Sequence, residues 1–203
     1  HFMNNLGIII FGLIAIVYII RITRATKIKN YPSKGKTIVA FGDSLIKGYG
    51  SSPGNDFISL LEDEIGRSII NLGIPGETSK QGLERVHSII EKDPKVVILL
   101  LGGNDYFKEI PIDETFKNID TIIQKIQKSG AVVVLLGILG GIISDPYRSR
   151  FKELAKKRGT LYVPNILEGI IGDSLLMTDE VHPNDNGYRI IADKVYPILN
   201  KAF

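Results

Sequence analysis

The chain has 203 residues, 44% of them hydrophobic, no Cys and three His (His1, His87 and His182). These numbers allow one domain with a sizeable core, and they exclude disulfides, thiolate chemistry and a zinc site built on several His. The formal net charge of +3 is unevenly spread: residues 1–36 hold six of the 25 Lys and Arg and none of the acids, so residues 37–203 carry 19 basic against 22 acidic side chains and net −3. The body of the chain is therefore mildly acidic and lacks the basic stripe that a phosphate backbone requires, which excludes nucleic acid as a partner.

In chain order, His1 and Phe2 precede Met3 and read as an expression scar. Leu6 to Ile20 is an uncharged run, LGIIIFGLIAIVYII, extended by Ile22. With Tyr18 and the following arginines as interfacial anchors, residues 6–22 are expected to form a hydrophobic helix that enters a lipid bilayer, at the short end of the roughly 20 residues a span needs. Of the alternatives, a cleaved signal peptide would carry positive charge before the apolar core and a small-x-small site after it, and neither is present; a soluble amphipathic or buried helix is the other. The expected organisation is an anchor at 1–26, a short basic linker at 27–36 and one domain at 37–203. The chain is thus expected at the cell membrane on a single N-terminal anchor. The Lys and Arg that follow the span favour a cytoplasmic domain by the positive-inside rule.

From Thr37 onward apolar, β-branched runs alternate with helix-like stretches. The runs lie at 37–41, 68–72, 95–101, 131–136 and 160–163; the helical stretches lie near 55–66, 79–92, 113–129, 146–158 and 184–200. The third and fourth runs are continuously apolar, as strands covered on both faces should be. The alternation predicts an α/β fold, a three-layer α/β/α sandwich around a five-stranded parallel sheet, with reactive loops gathered at the carboxyl ends of the strands.

Four short blocks carry chemistry. Gly42-Asp43-Ser44-Leu45 follows the first strand, where a serine exposes its hydroxyl and offers its own N–H. Gly76 lies in a Gly- and Pro-rich turn after the second strand and leaves a backbone N–H uncovered by any side chain. Gly102-Gly103-Asn104-Asp105 follows the third, and Asn104 brings an amide donor. Asp179 and His182, three residues apart before the last helix, allow the carboxylate to hold one imidazole nitrogen while the other points outward. Each block alone reads as an ordinary cap or turn. Together and in order they supply a nucleophile, an oxyanion hole (Ser44, Gly76, Asn104) and a Ser44–His182–Asp179 triad, the parts of acyl transfer. Gly172-Asp173-Ser174-Leu175 repeats the first block without a preceding strand and reads as a loop, and His87 reads as a surface residue.

These blocks, with KGYG after Ser44, GETSKQGLERV after Pro75 and HPNDNGY from His182, resemble the GDSL family of the SGNH hydrolases. The likeness covers nearly all of residues 37–200 and is closest to its bacterial thioesterase, arylesterase and lysophospholipase subgroup. It implies a flavodoxin-like strand order 2-1-3-4-5, Ser44 as nucleophile, His182 as base oriented by Asp179, and oxyanion donors on Ser44, Gly76 and Asn104. It implies neither cofactor nor metal. The subgroup's habit of secretion favours a periplasmic or extracellular domain, against the charge bias.

The resulting expectation is a membrane-anchored serine esterase acting on carboxylic or thio esters of acyl chains, lipid-derived ones such as lysophospholipids foremost. Tyr106, Phe107, Ile110, Ile112 and Ile142 are expected to line its acyl site. The alternatives are a carbohydrate O-acetyl esterase or acyltransferase on the same triad, and a non-catalytic membrane-tethered binding protein, which should lack one of the chemical parts.

Overall fold

The computed structural model describes residues 27–138 and 145–203. Five strands form one parallel sheet: β1 (Thr37–Gly42), β2 (Ile69–Gly73), β3 (Pro94–Leu100), β4 (Val132–Leu136) and β5 (Leu161–Val163), in the order β2-β1-β3-β4-β5. This is the order that the family resemblance implies. Central β3 and β4 read as unbroken apolar runs because helices cover them on both faces; Val96 to Leu101 are fully buried. Edge strand β2 is only partly covered, and edge strand β5 has three residues.

Eight α-helices connect the strands among the described residues: α1 (Ser44–Lys47), α2 (Phe57–Ile65), α3 (Ser79–Glu84), α4 (His87–Ile90), α5 (Gly103–Phe107), α6 (Ile112–Lys128), α7 (Pro146–Arg158) and α8 (Asp185–Leu199), followed by a 3₁₀ turn at Asn200–Ala202. Helix α2 packs on α8, while α3 and α7 flank α6, so two helical layers enclose the sheet. Side chains start most of the longer helices: Asp56 accepts from the N–H groups of Ile58 and Ser59, Asp145 from Tyr147 and Arg148, and Asn184 from Asn186 and Gly187. Such caps are the reason these helices begin where the sequence suggests.

The expected helix over 79–92 is two short ones. Arg85 leaves the helical conformation (φ −108°, ψ 13°) and turns its guanidinium back to the sheet. Helices α1 and α5 were not expected, since four or five residues show no periodicity to read.

Residues 27–36 are held against the domain and do not span free space as a linker would. Lys29 N–H donates to Gly159 O, Asn30 Nδ2 to the carbonyls of Gln127 and Ala131, and Ser33 Oγ to Gly130 O. These partners precede β4 and β5, so the segment lies at the amino ends of the strands. The anchor expected at 6–22 lies outside the described residues. Among the described residues no helix is long and apolar enough to cross a membrane.

Candidate active site

The carboxyl ends of β1, β2 and β3 place three of the four blocks side by side. Strand β1 ends at Gly42, which approaches β3 so closely that a Cβ there would lie 1.9 Å from Leu100 O. Asp43 then caps α1, its buried carboxylate accepting from Leu45 N–H at 3.0 Å. Ser44 opens that helix, so its N–H has no partner within the helix, and the residue lines the cleft.

After β2 the chain turns through Gly76 in the left-handed region (φ +78°), and the Gly76 N–H has no acceptor among the described residues. The turn ends in a capping box, in which Thr78 and Gln81 bond reciprocally at the start of α3. After β3, Gly102 (φ +118°) leads into α5. Asn104 Nδ2 donates to Glu77 O at 3.1 Å and makes only a long 3.4 Å contact with Asp43 Oδ2, which leaves one amide hydrogen for a ligand. The neighbouring Asp105 is fully buried and points the other way, accepting from Ser79 N–H (2.8 Å), Ser79 Oγ and Thr115 Oγ1. One residue of the pair faces the cleft, and the other ties the second block to the third.

The fourth block comes from a tight loop. Thr178 N–H donates to His182 O at 2.8 Å and Asn184 N–H to Leu176 O at 2.9 Å, closing the segment on itself. Within it, Asp179 Oδ1 accepts from the N–H groups of Val181 and His182 at 2.9 and 2.8 Å. His182 Nδ1 lies 2.8 Å from Asp179 Oδ2, and His182 Nε2 lies 3.0 Å from Ser44 Oγ. Burial pushes the Asp179 carboxyl up, but the Val181 and His182 N–H groups and the imidazole outweigh it and hold it below the usual carboxylate range. An ionised Asp179 accepts from Nδ1–H, which leaves Nε2 as the acceptor for the Ser44 hydroxyl.

Asp43 behaves in the opposite sense. Burial, aided by the nearby Glu77 and Asp105 carboxylates, raises it from 3.8 to about 7 against the pull of Leu45 N–H.

Ser44, Gly76, Asn104, Asp179 and His182 all line one cleft of about 1530 Å³. Tyr106, Phe107 and Ile138 line it from the β3 and β4 side, and Leu167, Ile171 and Met177 from the segment after β5. Tyr106 and Phe107, expected at the acyl site, lie on the cleft wall. Ile110 and Ile112 do not reach the cleft: Ile112 opens α6 and packs on the core. Ile142 lies outside the described residues. Ser174 is a loop residue on the cleft wall, and His87 is exposed.

Several contributors were not assigned to the site from the sequence, Tyr49 among them although it lies in the KGYG stretch. Tyr49 sets its ring 4.6 Å from that of His182, and Thr178 Oγ1 donates to Gly50 O at 2.7 Å, so the loop after α1 braces the histidine loop. Nothing in the spacing of these residues ties position 49 to position 182. The apolar wall at 167–177 is likewise invisible, because it belongs to no periodic element.

The sequence matches the GDSL-like lipase/acylhydrolase family over residues 40–190. The chain belongs to that family. This GDSL-family chain is 31% identical to the arylesterase of Vibrio mimicus over 176 residues, covering 81% of this chain and 88% of that one. It is 28% identical to the thioesterase 1/protease 1/lysophospholipase of Escherichia coli over 177 residues, covering 81% and 85%. The fold superposes on the crystal structure of TesA with a TM-score of 0.78 at 27% identity, covering 83% of this chain and all of that one. The GDSL-family chain is a hydrolase of ester bonds, of the esterase, thioesterase and lysophospholipase type.

Proposed function

We propose that this hydrolase works through an acyl-enzyme on Ser44 and that its substrates are carboxylic or thio esters of extended acyl chains, lysophospholipids among them. The observation that carries the reading is the 3.0 Å contact between Ser44 Oγ and His182 Nε2, with Asp179 on the far side of the imidazole. His182 takes the Ser44 proton as Oγ attacks the carbonyl carbon, and the C=O electron pair moves onto oxygen. The Ser44 N–H, the Gly76 N–H and Asn104 Nδ2 meet that oxyanion; one such donor is typically worth about 3–4 kcal/mol of barrier. His182 then protonates the leaving alcohol or thiol as the C–O or C–S bond breaks. Water, deprotonated by the same imidazole, releases the acid and restores Ser44.

The apolar cleft walls support a long acyl chain, as do the thioesterase and lysophospholipase names of the relatives. Attachment to a membrane through residues 6–22 belongs to the same reading and rests on the uncharged run in the sequence. Retention in the membrane pellet after alkaline carbonate extraction is its test, and release into the supernatant would reject it.

Ser44→Ala should lower hydrolysis of p-nitrophenyl esters by at least about three orders of magnitude. A fluorophosphonate should label the wild type at Ser44 and should label His182→Ala far more slowly. Undiminished hydrolysis in Ser44→Ala would reject the nucleophile. In a chain-length series of esters, kcat/KM should rise toward longer acyl groups, whereas a sharp preference for acetyl would favour an O-acetyl esterase.

A further inference from the structure

Beside the oxyanion donors lies an ion pair that the reaction itself does not use. Glu77 follows Gly76, and its side chain is 3% exposed; that of its partner Arg85 is 20% exposed. Arg85 donates from Nε to Oε1 and from Nη2 to Oε2 of Glu77. The same Nη2 donates to Leu72 O at 2.9 Å, and it lies 3.4 Å from Gly42 O. The guanidinium sits 3.9 Å over the Phe41 ring. Arg85 therefore joins the turn after β2 to the ends of β1 and β2, and Gly42 is two residues from Ser44.

The backbone at Glu77 is where this contact meets catalysis. Its carbonyl accepts from Asn104 Nδ2 at 3.1 Å, and its nitrogen shares a peptide bond with Gly76, whose own N–H is the second backbone donor. A shift of the Glu77 peptide would move both donors relative to Ser44. A buried ion pair is weak evidence for stability, because apolar side chains of similar volume fill such a space as well. The planar fork of an arginine, by contrast, fixes a carboxylate and carbonyls in one geometry, which a lysine cannot do.

We propose that Arg85 is a positioning residue for the oxyanion hole: acting through Glu77, it fixes the Gly76 N–H and the Asn104 amide against the turn that carries Ser44. The proposal rests on the reading of Ser44 as nucleophile. Reactions that depend on such placement lose about 100-fold for a displacement near 1 Å.

The test compares the full chain with Arg85→Gln, Arg85→Lys and the double variant Glu77→Gln/Arg85→Gln, using p-nitrophenyl esters and fluorophosphonate inactivation. In Arg85→Gln, kcat and the inactivation rate should fall about 10- to 100-fold while KM changes less than about threefold, because the donors act mainly in the transition state. Arg85→Lys should recover only part of that loss. The double variant removes both charges, so it stays informative if a lone buried Glu77 prevents folding; its kcat should remain low, since the contacts to Leu72 and Gly42 are gone. The inflections of the pH profile should keep their position, as His182 and Asp179 are untouched. Asp120→Ala, which breaks an ion pair with Lys157 and Arg158 on α7, serves as a control for lost stability and should keep its kcat.

Wild-type kcat in folded Arg85→Gln or in the folded double variant would overturn the proposal. So would a loss of kcat that follows the melting temperature equally in Asp120→Ala. If Ser44→Ala itself stays active, the reading of the nucleophile fails instead.

Discussion

Asp43 and Asp179 both line this cleft, and their surroundings drive their ionisation apart. Asp179 accepts two backbone N–H groups and the imidazole, and it stays ionised below the usual carboxylate range. Replacing it by Asn keeps the shape but offers an amide where a carboxylate fixed the tautomer. Asp179→Asn should cost about 10³–10⁴ in kcat with little change in KM, read by steady-state kinetics. Asp43 is buried with a single short N–H partner and titrates at about 7. Its folded value lies above the unfolded 3.8, so the folded state holds the proton longer. This group's contribution is favourable at low pH and is lost as pH rises from about 4 through about 7. Asp43→Asn keeps a capping residue without the charge. Relative to wild type, it should gain on the order of a few kcal/mol between pH 5 and pH 8, measured by chemical denaturation at both values. An equal offset at the two pH values would reject a buried, titrating Asp43.

At the scale of the element, α3 shows why a helix of six residues forms at all. Its capping box fixes the first turn, and Gly82 lets it lie flat on the sheet: a Cβ there would come 2.6 Å from Leu101 Cδ1 and 3.3 Å from Phe41 Cε1. Alanine at a helical glycine gains about 1 kcal/mol of propensity. Here the overpacking, typically costing about 1–3 kcal/mol, should win. Gly82→Ala should therefore lower the melting temperature, while a rise would mean that α3 shifts freely. The continuously apolar β3 and β4 were legible because burial on two faces leaves a plain pattern. The break at Arg85 was not, because its cause is a carboxylate eight positions away and carbonyls on two strands.

For the molecule as a whole, the chain from Lys27 to Lys36 brings its lysines to the amino ends of the strands, opposite the cleft. The cleft lining includes Asp43, Asp173, Asp179 and Glu180 and, among the described residues, no Lys or Arg; at its edge the single ammonium of Lys108 donates to Gly76 O at 3.2 Å, so the acids outnumber it. Residues 139–144, LGGIIS, add no charge. An anionic leaving group such as coenzyme A should thus meet repulsion, which salt screens over a Debye length of about 10 Å at 0.1 M. Raising ionic strength from about 0.01 to about 0.2 M should increase kcat/KM for an acyl-coenzyme A but leave it flat for the uncharged N-acetylcysteamine thioester of the same acid. Equal salt responses would show that the acidic rim does not select substrates. If residues 6–22 enter a membrane, the same topology turns the cleft away from the point where the chain leaves the domain.

Strand and helix alternation, and the presence of the four blocks that the proposed chemistry uses, were fixed by local chemistry: β-branched runs pair into strands, and Gly, Asp and Asn mark the turns between them. Membership in the family was also legible, because its four blocks are short and ordered. The identity of the cleft walls at 167–177, the role of Tyr49 beside His182 and the Arg85 contact were decided only by tertiary structure. Ile112 made the same point in reverse, an apolar residue beside the site that packs inward. Nothing in a linear pattern reports which side chains become neighbours when strands far apart in sequence lie a few ångströms from one another.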